Sequence, residues 1–143
     1  MSAGPFFEDV REGDSLPPLE RTPEMLNVVQ WSGATWTFVP IFYDRDLAQA
    51  QGLPDTLVPG PMKLALFAVL LQRWAGAEAE VRALRATYRR PDVPRRPLRF
   101  LGTVTRTQRA DGEGLVDVEL WTEDARGERT VAGAATVRLP LRG

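Results

Sequence analysis

The stretch Met62–Ala75, MKLALFAVLLQRWA, constrains the fold more than any other part of the chain. It is apolar on nearly every face, with polarity confined to Lys63, Gln72 and Arg73. A helix of that kind is expected to be buried on all sides. At about four turns it is too short to span a bilayer. A sheet must therefore wrap it, and the helix must begin just after Val58-Pro59-Gly60-Pro61.

The second half of the chain supplies that sheet. Val81–Arg89, Leu98–Thr107, Leu115–Thr122 and Thr130–Leu139 read as strands. In the third, Val116, Val118 and Leu120 alternate with Asp117 and Glu119, the period of two expected of a strand with one wet face. In the fourth, Val131, Ala135, Val137 and Leu139 share one parity, with Gly133 between them. The connections 110-ADGEG-114 and 124-DARGE-128 are short and contain glycine, as hairpin turns do. The break 89-RRPDVPRRP-97 is longer and punctuated by proline. This order predicts an α+β domain over 1–143: one antiparallel sheet curled around one central helix.

The first half is more broken. Leu16–Arg21 reads as an edge strand, since proline is tolerated there and not in a central ladder. Thr22-Pro23-Glu24 reads as a helix start, with a hydroxyl cap, proline at the first helical position and an acid in the first turn. That helix is expected to stop near Ser32-Gly33. Trp36–Tyr43 is aromatic and interrupted by Pro40. Asp44 is expected to cap a short helix, Arg45–Gln51, which Gly52 closes.

Composition removes whole classes of chemistry. There is no cysteine, which excludes disulfides, thiolate catalysis and Cys-zinc sites. There is no histidine, which excludes Ser-His-Asp catalysis and His-ligated metals. An acid or base here must be Asp, Glu, Tyr, Lys, an Arg under strain or bound water. A net charge of −1 gives no basic surface for nucleic acid. The opening MSAGPFFEDVREGD lacks the features of a signal peptide, and no apolar run is long enough for a membrane, so a cytoplasmic protein is expected.

Several segments together resemble the MaoC-like acyl-CoA hydratases. FEDVREGDSLPPLERT is similar to their opening, SGATWTFVPIFYDRDLAQAQGL to their hydratase motif, PGPMKLALFAVLLQRWAG to their central helix, and VRALRATYRRPDVPRRPLRFLGTVT to their first long strands. The resemblance implies the hot-dog fold and an acyl-thioester ligand, with coenzyme A as part of the substrate and no separate cofactor or metal. Active members carry Gly-Asp-x-Asn-Pro-Ile-His followed by x-Asp. Laid over this chain, Pro40, Ile41 and Asp44 match, while the catalytic Asp falls on Thr37 and the catalytic His on Phe42. The His that often precedes the helix-opening glycine is Pro59 here.

Hydration of an enoyl thioester needs a group to activate water and a route to protonate the α-carbon. Phenylalanine supplies neither, and a threonine hydroxyl has no useful pKa. What the resemblance retains is the binding half: in the family, the amide of the glycine in the place of Gly60 donates to the thioester carbonyl. Trp36, Phe38 and Phe42 alternate as though along one face of an extended segment, where they would close an acyl tunnel or meet a second subunit. Arg89, Arg90, Arg95, Arg96 and Arg99 crowd the proline-rich loop; Arg95 and Arg96 are candidates for coenzyme A phosphates, and a solvated surface is the alternative. Asp55 and Tyr43 are the candidates for relocated acid–base chemistry. The resemblance further implies a pair of hot-dog units, either a homodimer or a heterodimer with a catalytic MaoC-like subunit. YDRDLAQAQGL and LLQRWAG look most like the non-catalytic partner of steroid-side-chain-type hydratases. Three functions follow as alternatives: a non-catalytic, acyl-CoA-binding subunit, a self-sufficient hydratase or dehydratase, and a thioester-binding module without turnover.

Overall fold

A computed structural model describes residues 3–143; the first two residues of the opening segment lie outside the described residues. Five antiparallel strands form one sheet: β1 (Leu19–Arg21), β2 (Glu80–Tyr88), β3 (Leu98–Ala110), β4 (Glu113–Glu123) and β5 (Arg129–Leu139), in the order β1-β3-β4-β5-β2. Val104, Val118, Ala135 and Leu84 line up across four of them. The β3–β4 turn is an Asp-Gly pair with φ of 50° at Asp111 and 76° at Gly112. Two positive φ angles give the turn a twist that suits adjoining strands. In the β4–β5 turn the Asp124 carboxylate accepts from the amides of Arg126 and Glu128 at 2.8 and 3.0 Å.

The apolar helix, α3 (Gly60–Ala75), lies in the hollow of the sheet. Its Phe67, Leu70, Leu71 and Ala75 join Phe100, Val104, Val116, Val118, Leu120 and Val137 in one core. Phe67 meets Phe100 edge to face, with centroids 5.2 Å apart. Such pairs contribute about 1 kcal/mol beyond their burial. The expectation of burial on all sides is corrected on one count. Leu64, Ala65 and Ala68 remain half-buried, because the curled sheet covers one side of the helix and leaves its flank to thinner cover.

The front of the chain departs further from expectation. β1 forms where the edge strand was predicted, but only over three residues. The first helix, α1, runs Met25–Thr35 with Glu24 as its N-cap, two residues later than Thr22. The Glu24 amide donates to Asn27 Oδ1 at 2.9 Å, a local bond stronger than the Thr-Pro signal. Gly33 sits inside the helix, and Trp36, at φ 54°, ends it. Asp44 does cap α2 (Arg45–Ala50), accepting from the Leu47 amide at 3.0 Å. No helix is long and apolar enough to cross a membrane among the described residues.

Candidate functional site

The loop before α3 is fixed from two sides by main-chain bonds. The Leu57 amide donates to the Ile41 carbonyl at 3.3 Å, and the Val58 amide donates to the Asp92 carbonyl at 2.8 Å. These bonds bring the Pro40–Phe42 turn, the start of α3 and the 89–97 loop together. A cavity of about 310 Å³ opens between them, lined by Phe42, Val58, Gly60, Lys63, Tyr88 and Arg89 among others. Gly60 is required by contact: a Cβ there would lie 2.7 Å from the Tyr88 ring. Burial of that ring pushes the Tyr88 phenol above its ordinary value.

Lys63 is the buried charge of this cavity, with 2% of its surface exposed. Side chains on a helix lean toward its N-terminus, so a lysine on the first turn is carried back toward the Gly60 end. Its Nζ donates to Asp92 Oδ2 at 2.7 Å and lies 5.6 Å from the Tyr88 ring centroid. Thr130 Oγ1 donates to the same Asp92 oxygen at 2.8 Å. Having given its proton to Asp92, Thr130 must accept from Thr122, 2.7 Å away, and Thr122 in turn accepts from the Val131 amide at 2.9 Å. Donors run in one direction from the sheet to the carboxylate. Asp92 and Thr130 face a second cavity, of about 300 Å³, so the ion pair spans the wall between two hollows.

The residues singled out from sequence are dispersed. Phe42 is half-buried and lines the Gly60 cavity. Thr37 is half-buried, and its hydroxyl is bonded locally to Thr35. Trp36 and Phe38 stack edge to face at 5.6 Å but are 85% and 54% exposed, and neither lines that cavity. The extended aromatic row is therefore corrected: Trp36 is left-handed and Phe42 sits in a 3-10 turn, so Phe42 lines the cavity apart from the Trp36–Phe38 pair. Asp55 does not face the Gly60 cavity. It is held by Arg95 at 3.0 Å and Arg45 at 3.5 Å, in a hollow that Arg96 also lines. Tyr43 is exposed, its hydroxyl 3.5 Å from the Phe38 carbonyl. Arg90 pairs with Glu128, and Arg99 with Glu20 and Glu123. Arg89 and Arg96 have no carboxylate partner among the described residues. Lys63 and Asp92 were missed as a pair; the available signal was a lone ammonium on the first turn of an otherwise apolar helix.

No family profile matches the sequence, and no curated protein sequence matches it. Solved structures do. The ChsH1-ChsH2 complex from Mycobacterium tuberculosis superposes with a TM-score of 0.81 at 24% identity, over 90% of this chain and 98% of that one. The (R)-hydratase from A. caviae involved in PHA biosynthesis gives 0.85 at 18%, over 93% and 99%. The MaoC-like dehydratase from Rhodospirillum rubrum gives 0.84 at 20%, over 98% and 99%. The chain has the hot-dog fold of the MaoC-like dehydratases. In this chain α3 is the helix the sheet curls around, and the Gly60 cavity opens at its N-terminal end.

Proposed function

We propose that this chain is the acyl-CoA-binding, non-catalytic subunit of a heteromeric MaoC-like hydratase. The observation that carries the reading is the content of the Gly60 cavity. Where the resemblance expects a histidine there is the Phe42 ring, and the Asp slot, Thr37, is engaged with its own helix end. The groups suggested as substitutes do not help, since the Asp55 carboxylate is held by two arginines elsewhere and the Tyr43 phenol is exposed. The Gly60 amide at the head of a 16-residue helix remains as a donor for a thioester carbonyl. Arg89 and Arg96 are the loop arginines free to meet coenzyme A phosphates.

Pairing is supported by surface apolarity. Leu26, Val29, Trp36, Phe38, Val39 and Tyr43, all from the first third of the chain, are exposed, with Trp36 against Phe38, and β2 is an edge strand of the sheet. Exposed aromatic clusters of this kind mark contact surfaces. The test is hydration of enoyl-CoA thioesters by the purified chain, alone and mixed with a catalytic MaoC-like subunit. Turnover only in the mixture is expected. Turnover by the chain alone, abolished by Asp55→Asn or Tyr43→Phe, would overturn the assignment.

A further inference from the structure

Strand alternation carries Tyr88 to the head of α3. Leu84, Ala86 and Tyr88 share one parity on β2, and Leu84 and Ala86 pack against the core. Tyr88 ends the strand opposite Val131, itself a core residue, so the two side chains lie on the same face of the sheet. The next amide, that of Arg89, donates to the Thr130 carbonyl at 2.9 Å and pins the strand end. The ring therefore continues the core-facing row one step past its last apolar member. There it meets the first residue of α3: a Cβ on Gly60 would lie 2.7, 2.8 and 2.9 Å from Cε2, Cζ and Cδ2 of Tyr88. Cβ positions on a helix lean toward its N-terminus, the end at which the first amides also point outward. Contact on that side sets the ring beside the Gly60 amide, and the phenol oxygen is one bond beyond Cζ.

The hydroxyl has no protein hydrogen-bond partner among the described residues, and the side chain, 44% exposed, lines the Gly60 cavity. Of the other polar side chains there, Lys63 is given to Asp92 and Arg90 to Glu128. A phenol raised by burial above an ordinary 10.0 is protonated at neutral pH, and so is a donor. Resting on the thioester-binding reading above, we infer that Tyr88 is a ligand-positioning residue: its phenol donates to the same thioester carbonyl as the Gly60 amide. A carbonyl oxygen has two lone pairs and accepts both donors. The two donors differ in kind. The amide belongs to the backbone and is fixed by the helix, whereas the hydroxyl is a side-chain group that can be removed while the ring keeps its place against Gly60. The ligand class that such a grip selects is an acyl thioester over a thioether of equal length, which offers no oxygen.

The test is calorimetric titration of the full chain with hexanoyl-CoA and with S-hexyl-CoA, the thioether that lacks the carbonyl. The unaltered chain should bind the thioester more tightly. Tyr88→Phe should weaken hexanoyl-CoA about fivefold, the usual net worth of one neutral hydrogen bond, and leave S-hexyl-CoA where it was. Infrared difference spectra give a second readout, with hexanoyl-CoA labelled with carbon-13 at the carbonyl. Its carbonyl stretch should fall in frequency on binding and recover part of that shift in Tyr88→Phe. Equal binding of thioester and thioether by the unaltered chain overturns the role of Tyr88. So does a Tyr88→Phe variant that weakens both ligands alike, that binds hexanoyl-CoA undiminished, or that leaves the bound carbonyl stretch unmoved. In each of these cases thioester binding itself stands. Failure of the unaltered chain to bind hexanoyl-CoA overturns the proposed function, and this inference with it.

Discussion

Asp92 and Asp55 lie on neighbouring loops, and each meets a basic side chain at close range, 2.7 and 3.0 Å. They are otherwise opposites. Asp92 and its partner Lys63 are both buried, one ammonium to one carboxylate, with the Thr130 hydroxyl donating to the same Asp92 oxygen. Asp55 is clasped by two arginines whose side chains are 49% and 63% exposed. Water can replace either arginine at Asp55 within a rotamer change. At Asp92 the buried Lys63 ammonium is the one basic partner among the described residues. The same contact is thus nearly indifferent for stability at one loop and decisive at the other, because solvation sets the cost of breaking it.

The sharpest way to break the comparison is to remove one member of each pair. Lys63→Met should destabilise the chain by about 3–5 kcal/mol, measured by urea denaturation, since it leaves a carboxylate buried without a counter-charge. A change below about 1 kcal/mol would show that water already reaches Asp92. Thr130→Val should follow at about 1–2 kcal/mol, because the Thr122 hydroxyl loses its acceptor and Asp92 loses a donor. Removing both charges, Lys63→Met with Asp92→Leu, should bring stability back to within about 1 kcal/mol of the unaltered chain. Asp55→Ala should cost less than about 1 kcal/mol, and less still at high salt.

The smallest effect expected is on pH dependence at the roof of the cavity. Tyr88 has its phenol pushed up by burial from an ordinary 10.0. A group whose folded value is raised contributes its stability fully below the unfolded value and loses it as pH rises through the folded one. The denaturation midpoint should therefore decline above pH 10.0, and Tyr88→Phe should remove that part of the decline.

Periodicity and turn chemistry carried most of the fold. Val116, Val118 and Leu120 are buried as their alternation predicts, the Asp-Gly pair makes the β3–β4 turn, and Asp44 caps α2. These are signals between near neighbours in the chain. The helix start failed among competing local bonds: Asn27 outweighs Thr22 because its side chain reaches the Glu24 amide. The site was less legible for a different reason. Lys63 and Asp92 are 29 residues apart, and nothing in either segment names the other. Apolar neighbours made Lys63 look like an incidental polar break in a helix, and prolines on both sides made Asp92 look like an ordinary loop acid. Only the closure of the sheet behind them turns two unremarkable letters into a shared interior charge.

Asp92 does two jobs with two kinds of atom. Its carbonyl receives the Val58 amide and holds the entrance to α3 in place, while its carboxylate meets Lys63. The first belongs to the peptide and survives any non-disruptive exchange at position 92; the second belongs to the side chain alone. The architecture of the hollow and its polarity are thus separable at a single residue, so the pocket can be made acidic, neutral or greasy without rebuilding its walls.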